Sequence, residues 1–96
     1  MLRNKHVVII GASGLIGQQV VAACTDKGAV VIAAGRQRDD RPGDTLVLKS
    51  GTIPFEAVDT NDPVSVSTLF ERCEKRIGPI DAVVNCAFQS NENFGA

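Results

Sequence analysis

Gly11, Gly14 and Gly17 recur every three residues in VVIIGASGLIG, and only Ala12 and Ser13 separate the first two. Such a stretch does its chemistry with the main chain. A small-residue turn opening a helix directs several N–H groups, at the positive end of the helix dipole, toward one place, and a phosphate or pyrophosphate suits them. Gly11 would permit the turn, Gly14 would let an anion approach the backbone, and Gly17 would let the helix pack close to the preceding strand. The alternative is a glycine-rich βα turn that binds nothing. No Lys-Ser/Thr pair follows Gly17, which disfavours a P-loop NTPase.

Three further positions bear on the same ligand. A carboxylate closing the second strand would hold an adenosine ribose 2′-OH; here Gly35 and Arg36 stand there. Glycine removes the repulsive charge, and a guanidinium pairs bidentately with a 2′-phosphate, so NADP(H) is expected in preference to NAD(H). Arg38 would assist, with Asp39 and Asp40 partly neutralising the loop; the alternative is a solvated arginine in a mixed-charge turn. Asp59 reads either as an acceptor for the adenine amino group or as a turn residue before Asp62. Asn85 reads either as a brace for the crevice floor or as a partner for loop backbone. Cys86 lies close by, but no basic neighbour in sequence would lower its pKa.

The elements that position these residues follow from apolar spacing. Val7–Ile10 is short and β-branched, as a strand buried on both faces would be. From Leu15 an amphipathic helix runs to Gly28, with Ile16, Val20, Ala23 and Cys24 as its apolar face and Gly28 as its cap. Ala29–Ala34 reads as a second strand, parallel to the first, and 36–44 as a polar loop. Thr45–Ser50 suits a helical stub closed by Gly51 or a short extended piece. Ile53–Val58 reads as a third strand, placed by Pro54 at a strand start or sheet edge. Asp62 is a good N-cap and Pro63 a good first helical residue, before Val66, Leu69, Phe70, Cys73 and Ile77 at helical spacing. That helix ends near Gly78-Pro79, and Ile80–Asn85 is a fourth strand. The resulting α/β fold is half of a Rossmann-like doubly wound parallel sheet, order 3-2-1-4, whose ligands lie beyond the strands' carboxyl ends.

Composition narrows the remaining choices. The 96 residues fit one small, partial domain, with 44% hydrophobic and 22% charged residues. A net charge of −1 gives no reason to expect nucleic acid or anionic membrane as partner. No apolar stretch reaches spanning length and the start does not read as a signal peptide, so a cytoplasmic chain is expected. Cys24, Cys73 and Cys86 show no metal or disulfide spacing; reduced thiols in small core sites are expected for Cys24 and Cys73. His6 reads as a surface residue. The chain contains no tyrosine and no tryptophan.

With these residues placed, the sequence resembles the N-terminal, cofactor-binding part of the short-chain dehydrogenase/reductase superfamily. VVIIGASGLIG is similar to its glycine-rich opening, AAGR to its NADP-type second-strand end, AVDTND to its adenine-contacting Asp segment, and IDAVVNCAF to its Asn-Asn-Ala-Gly strand. The commoner pattern TGxxxGxG would place Thr where Ile10 stands and Gly where Leu15 stands; GxxGxxG resembles the extended and atypical branches. Cys86 stands for the second Asn and Phe88 for the motif's Gly. The closing run NCAFQSNENFGA is similar to a segment of reductases of surface-glycan and flagellin-sugar biosynthesis, with Phe88 and Phe94 at its Tyr positions. That likeness implies a sugar derivative as substrate.

The resemblance implies hydride transfer between nicotinamide and a carbonyl or alcohol, with cofactor contacts from Gly11, Ser13, Gly14, Leu15, Ile16, Gly17, Arg36, Asp59, Asn85 and Ala87. The family's catalytic Tyr-x-x-x-Lys follows the fourth strand and is not in this sequence, so no residue here is given a catalytic role. A truncated gene product, a non-catalytic dinucleotide-binding or redox-sensing module, and an inactive remnant are the alternatives. The fourth strand would be an unpaired edge, from which self-association is expected.

Overall fold

The computed structural model describes residues 2–12, 14–36, 45–49 and 51–86. Its elements are β1 (His6–Ile10), α1 (Leu15–Asp26), β2 (Val30–Gly35), β3 (Thr45–Leu48), β4 (Gly51–Ala57), α2 (Pro63–Ile77) and β5 (Ala82–Asn85). One sheet has the order β3-β4-β2-β1-β5. The expected order 3-2-1-4 corresponds to β4-β2-β1-β5, whose three ladders are all parallel. β3 joins outside them as an antiparallel partner of β4.

The central strands are apolar throughout because both faces are covered. Val7 and Ile9 of β1, with Val31 and Ala33 of β2, enter one core with Val21 of α1 and Phe55 of β4. The alternate residues Val8, Ile10, Ile32 and Ala34 meet Leu69 and Cys73 of α2 on the opposite face. The two-residue strand period thus divides one apolar run between two cores. Cys73 is fully buried and Cys24 packs, half-buried, against the first core, as the thiols' expected role requires.

One open alternative is resolved and three expectations change. Thr45–Leu48 is a strand, so the extended alternative is the correct one. β4 starts two residues earlier than expected, and Pro54 is not on an edge strand: it faces Thr45 in the hairpin, just ahead of the β2 ladder, which begins at Phe55. There its missing N–H interrupts no parallel pairing. α1 buries Gly17 and Val21 rather than the Ile16/Ala23 side, and Ile16 is 60% exposed. Finally, His6 is half-buried. Its Nδ1 lies 2.8 Å from the Pro79 carbonyl, and its backbone N–H donates to Asp81 Oδ2 at 2.7 Å, joining the starts of β1 and β5.

Candidate functional site

The glycine turn sits at the centre of the sheet's carboxyl edge. Gly11 follows β1 with φ of +81°, a conformation that disfavours any side chain, and its N–H donates to the Ala34 carbonyl at 2.8 Å. Gly14 is the N-cap of α1 and supplies no side-chain hydrogen bond to the helix. The first-turn N–H groups of Leu15 and Ile16 have no helical carbonyl within reach, and the first helical bond at the cap runs from Gln18 N–H to Gly14 O, 2.9 Å. Leu15 is 79% exposed, so the apolar start of α1 faces outward beside the turn.

Gly17 fixes how close helix and turn approach. A Cβ there would lie 2.1 Å from Gly11 O and 2.7 Å from Ala12 Cα, distances at which the main chain would have to move. This also explains the rotation of α1: the helix rests on the turn through a residue with no side chain, which apolar spacing does not register.

Arg36 and Asp59 come together. With Ala57, Val58, Asn61 and Ser65 they line an open cleft of about 470 Å³ at the carboxyl ends of β2 and β4. The Val58 N–H donates to Gly35 O at 2.8 Å, holding the two strand ends side by side. Asp59 does take the turn role. Its Oδ1 accepts the Asn61 N–H at 3.0 Å, its carbonyl accepts the Asp62 N–H at 3.0 Å, and its own N–H donates to Ser65 Oγ at 2.8 Å. Asp62 caps α2 by accepting the Val64 N–H at 3.0 Å, with Pro63 in the first turn.

Asn85 lies on the other flank of the glycine turn. It ends β5 opposite Ile10, and the next residue's N–H, that of Cys86, donates to Ile10 O at 2.7 Å. The glycine turn is therefore held between the ends of β2 and β5. Ser13 and Ala87 lie outside the described residues, as do Arg38, Asp39, Asp40, Phe88 and Phe94.

Sequence reasoning missed Asn61 and Ser65. Their signal was present in the turn ahead of α2 and in its first turn, at an end already expected to face the ligand. It also missed an ion-paired support below the cleft: Arg76 Nη1 donates to Glu56 Oε2 and to the Phe55 carbonyl, each at 2.9 Å, tying α2 to β4. Buried beside this pair, the Cys73 thiol is pushed up to about 11, first by loss of solvent and then by the Glu56 carboxylate.

A family model described as short chain dehydrogenase matches residues 5–94. The chain belongs to the short-chain dehydrogenase family. It is 34% identical over 91 residues to a fatty acyl-CoA reductase of Mycobacterium tuberculosis, covering 93% of this chain and 31% of that protein. Among solved structures it resembles a ligand-free aldohexose dehydrogenase of Thermoplasma acidophilum, with TM-score 0.66 and 26% identity over 90% of this chain and 30% of that one. A short chain dehydrogenase of Leptospira borgpetersenii with bound NAD+ has TM-score 0.64 and 24% identity, covering 93% of this chain and 33% of that one, and shows the shared fold. The chain thus spans about a third of the length of these relatives. Proteins of this family bind nicotinamide dinucleotides. Among the described residues no helix is long and apolar enough to cross a membrane.

Proposed function

We propose that this chain is the NADP(H)-binding part of a short-chain oxidoreductase. The observation that carries the cofactor choice is the end of β2, where Gly35 leads into an exposed Arg36 on the rim of the cleft shared with Asp59. A carboxylate at that place would repel a 2′-phosphate, whereas a guanidinium attracts it. The donor set suits the rest of the group: main-chain N–H groups at a glycine-capped helix start for the pyrophosphate, and the Asp59 carboxylate for the adenine amino group. Gly11, Ser13, Gly14, Leu15, Ile16 and Gly17 are assigned to the pyrophosphate side, Arg36 and Asp59 to the adenosine side, and Asn85 and Ala87 to the far flank. When bound, the cofactor supplies or accepts a hydride at a carbonyl or alcohol; this chain's residues bind and orient it. Titration with NADPH and NADH is expected to show NADPH binding about tenfold tighter, and Arg36→Ala to abolish that preference. Tighter binding of NADH would overturn the assignment.

For the intact protein we infer a sugar derivative as substrate, supported by the closing run NCAFQSNENFGA and the likeness to an aldohexose dehydrogenase. A close relative that reduces acyl-CoA thioesters but no sugar would remove this reading. A cytoplasmic location belongs to the same proposal and rests on the ordinary globular composition. Self-association through β5 is also proposed. No described strand pairs with the outer edge of β5, and Val83 there is 45% exposed. A concentration-independent monomer in sedimentation would refute it.

A further inference from the structure

The turn after β4 contains more organisation than holding the start of a helix requires. Asp62 already caps α2 through the Val64 N–H. The Asp59 N–H nevertheless donates to the Ser65 hydroxyl at 2.8 Å, reaching into the first turn of that helix, while Asp59 Oδ1 accepts the Asn61 N–H at 3.0 Å. These two contacts act on one residue from opposite ends. The first fixes the Asp59 main chain relative to α2, and the second fixes the rotation of its carboxylate. No hydrogen bond among the described residues uses Oδ2. All three residues line the cleft with Arg36.

We propose that Ser65 is a positioning residue for adenine recognition: through the Asp59 N–H it fixes the Asp59 main chain, so that the carboxylate, its rotation set by the Asn61 N–H, stands where it accepts the purine amino group. The proposal rests on the reading of the cleft as the adenosine end of a dinucleotide site. Its physical basis is preorganisation. An exposed carboxylate on a free turn must be ordered when ligand arrives, and that cost weakens the contact. Here the turn and the rotamer are set beforehand. Because Asp59 is exposed, water replaces the Ser65 oxygen when the hydroxyl is removed, so the fold tolerates the change while the orientation is lost.

The test compares two probes, NADPH and its hypoxanthine analogue, which carries a 6-oxo group in place of the amino group. Affinities are read from the nicotinamide fluorescence of each on titration with the 96-residue chain. The unaltered chain is expected to prefer NADPH by about tenfold, as one charge-assisted hydrogen bond allows. Ser65→Ala is expected to reduce the preference to about twofold, chiefly by weakening NADPH, and Ser65→Thr, which keeps the hydroxyl, to restore it. Loss of fold alone would weaken both probes equally, and that result overturns the proposal, as does an undiminished preference in Ser65→Ala. An unaltered chain that binds both probes alike also overturns it while leaving the dinucleotide site intact. Failure of the unaltered chain to bind either probe removes the site reading itself, and this proposal with it.

Discussion

The two helices begin in opposite ways. α1 starts at a glycine whose cap position offers no side chain, and its first turn carries no acidic residue. α2 starts at an aspartate that accepts a main-chain N–H, has proline in its first turn, and is backed by Asp59 and Ser65. A helix start needs partners for its first N–H groups. The α2 start finds one in the Asp62 side chain; the α1 start, in the middle of the sheet edge, has no side-chain cap, and on the proposed function a bound anion would supply the partner. In a chain of this size a poorly capped helix beside an exposed apolar Leu15 is a cost to folding alone, one that binding of the proposed cofactor would offset.

The largest effect is expected where helix and turn touch. Gly17→Ala drives a methyl group into the Gly11 carbonyl and should lower stability by about 3 kcal/mol in urea unfolding, with NADPH affinity lost. Gly14→Asp makes the first start resemble the second. Gly14 has φ of −74°, and a Cβ there meets its nearest atom at 3.5 Å, so the backbone accepts the side chain. NADPH affinity should fall by about tenfold or more from charge repulsion, while the thermal midpoint rises by the equivalent of a few tenths of a kcal/mol. A rise in stability with unchanged affinity would show that the glycine turn holds no anion. The converse change, Asp62→Ala, should cost about 1 kcal/mol in unfolding experiments and leave the ratio of NADPH to NADH affinity unaltered.

The smallest effect separates the helices by pH. The Cys73 thiol is raised from 9.0 to about 11 in the fold, so it stays protonated there while the unfolded thiol ionises. The stability it contributes is complete below pH 9 and is lost as pH rises toward 11, a loss of about half a kcal/mol at pH 9. Because Cys73 sits on the buried face of α2, hydrogen exchange at alkaline pH should rise in α2 before α1, and Cys73 should be the slowest of the three cysteines to alkylate.

Much of this was legible in the residues. β1 and β2 announce themselves as short, unbroken apolar runs, because both of their faces are buried, and both helices by period and by Gly28 and Asp62. The rotation of α1 was not legible, since its inward contact is Gly17 and an absent side chain leaves no apolar signal. The Thr45–Leu48 strand was ambiguous because four residues span barely one helical turn and so show no period, and its pairing with β4 is a tertiary choice. At the cleft, Arg36 and Asp59 were readable from strand ends, whereas Ser65 was hidden inside a helix whose start was already explained by Asp62.

β5 joins β1 across 75 residues of sequence, while β3 and β4 meet through a tight hairpin. Local pairings form readily and distant ones late, because a long loop must first be closed. On a growing chain the hairpin is complete before β5 has been made. Throughout that interval one side of β1 is an open template, and the flank of the glycine turn that Cys86 anchors to Ile10 has not yet been laid down. The turn that reads first in the sequence is therefore completed later than the hairpin, and only once β5 has joined β1 are both of its flanks in place.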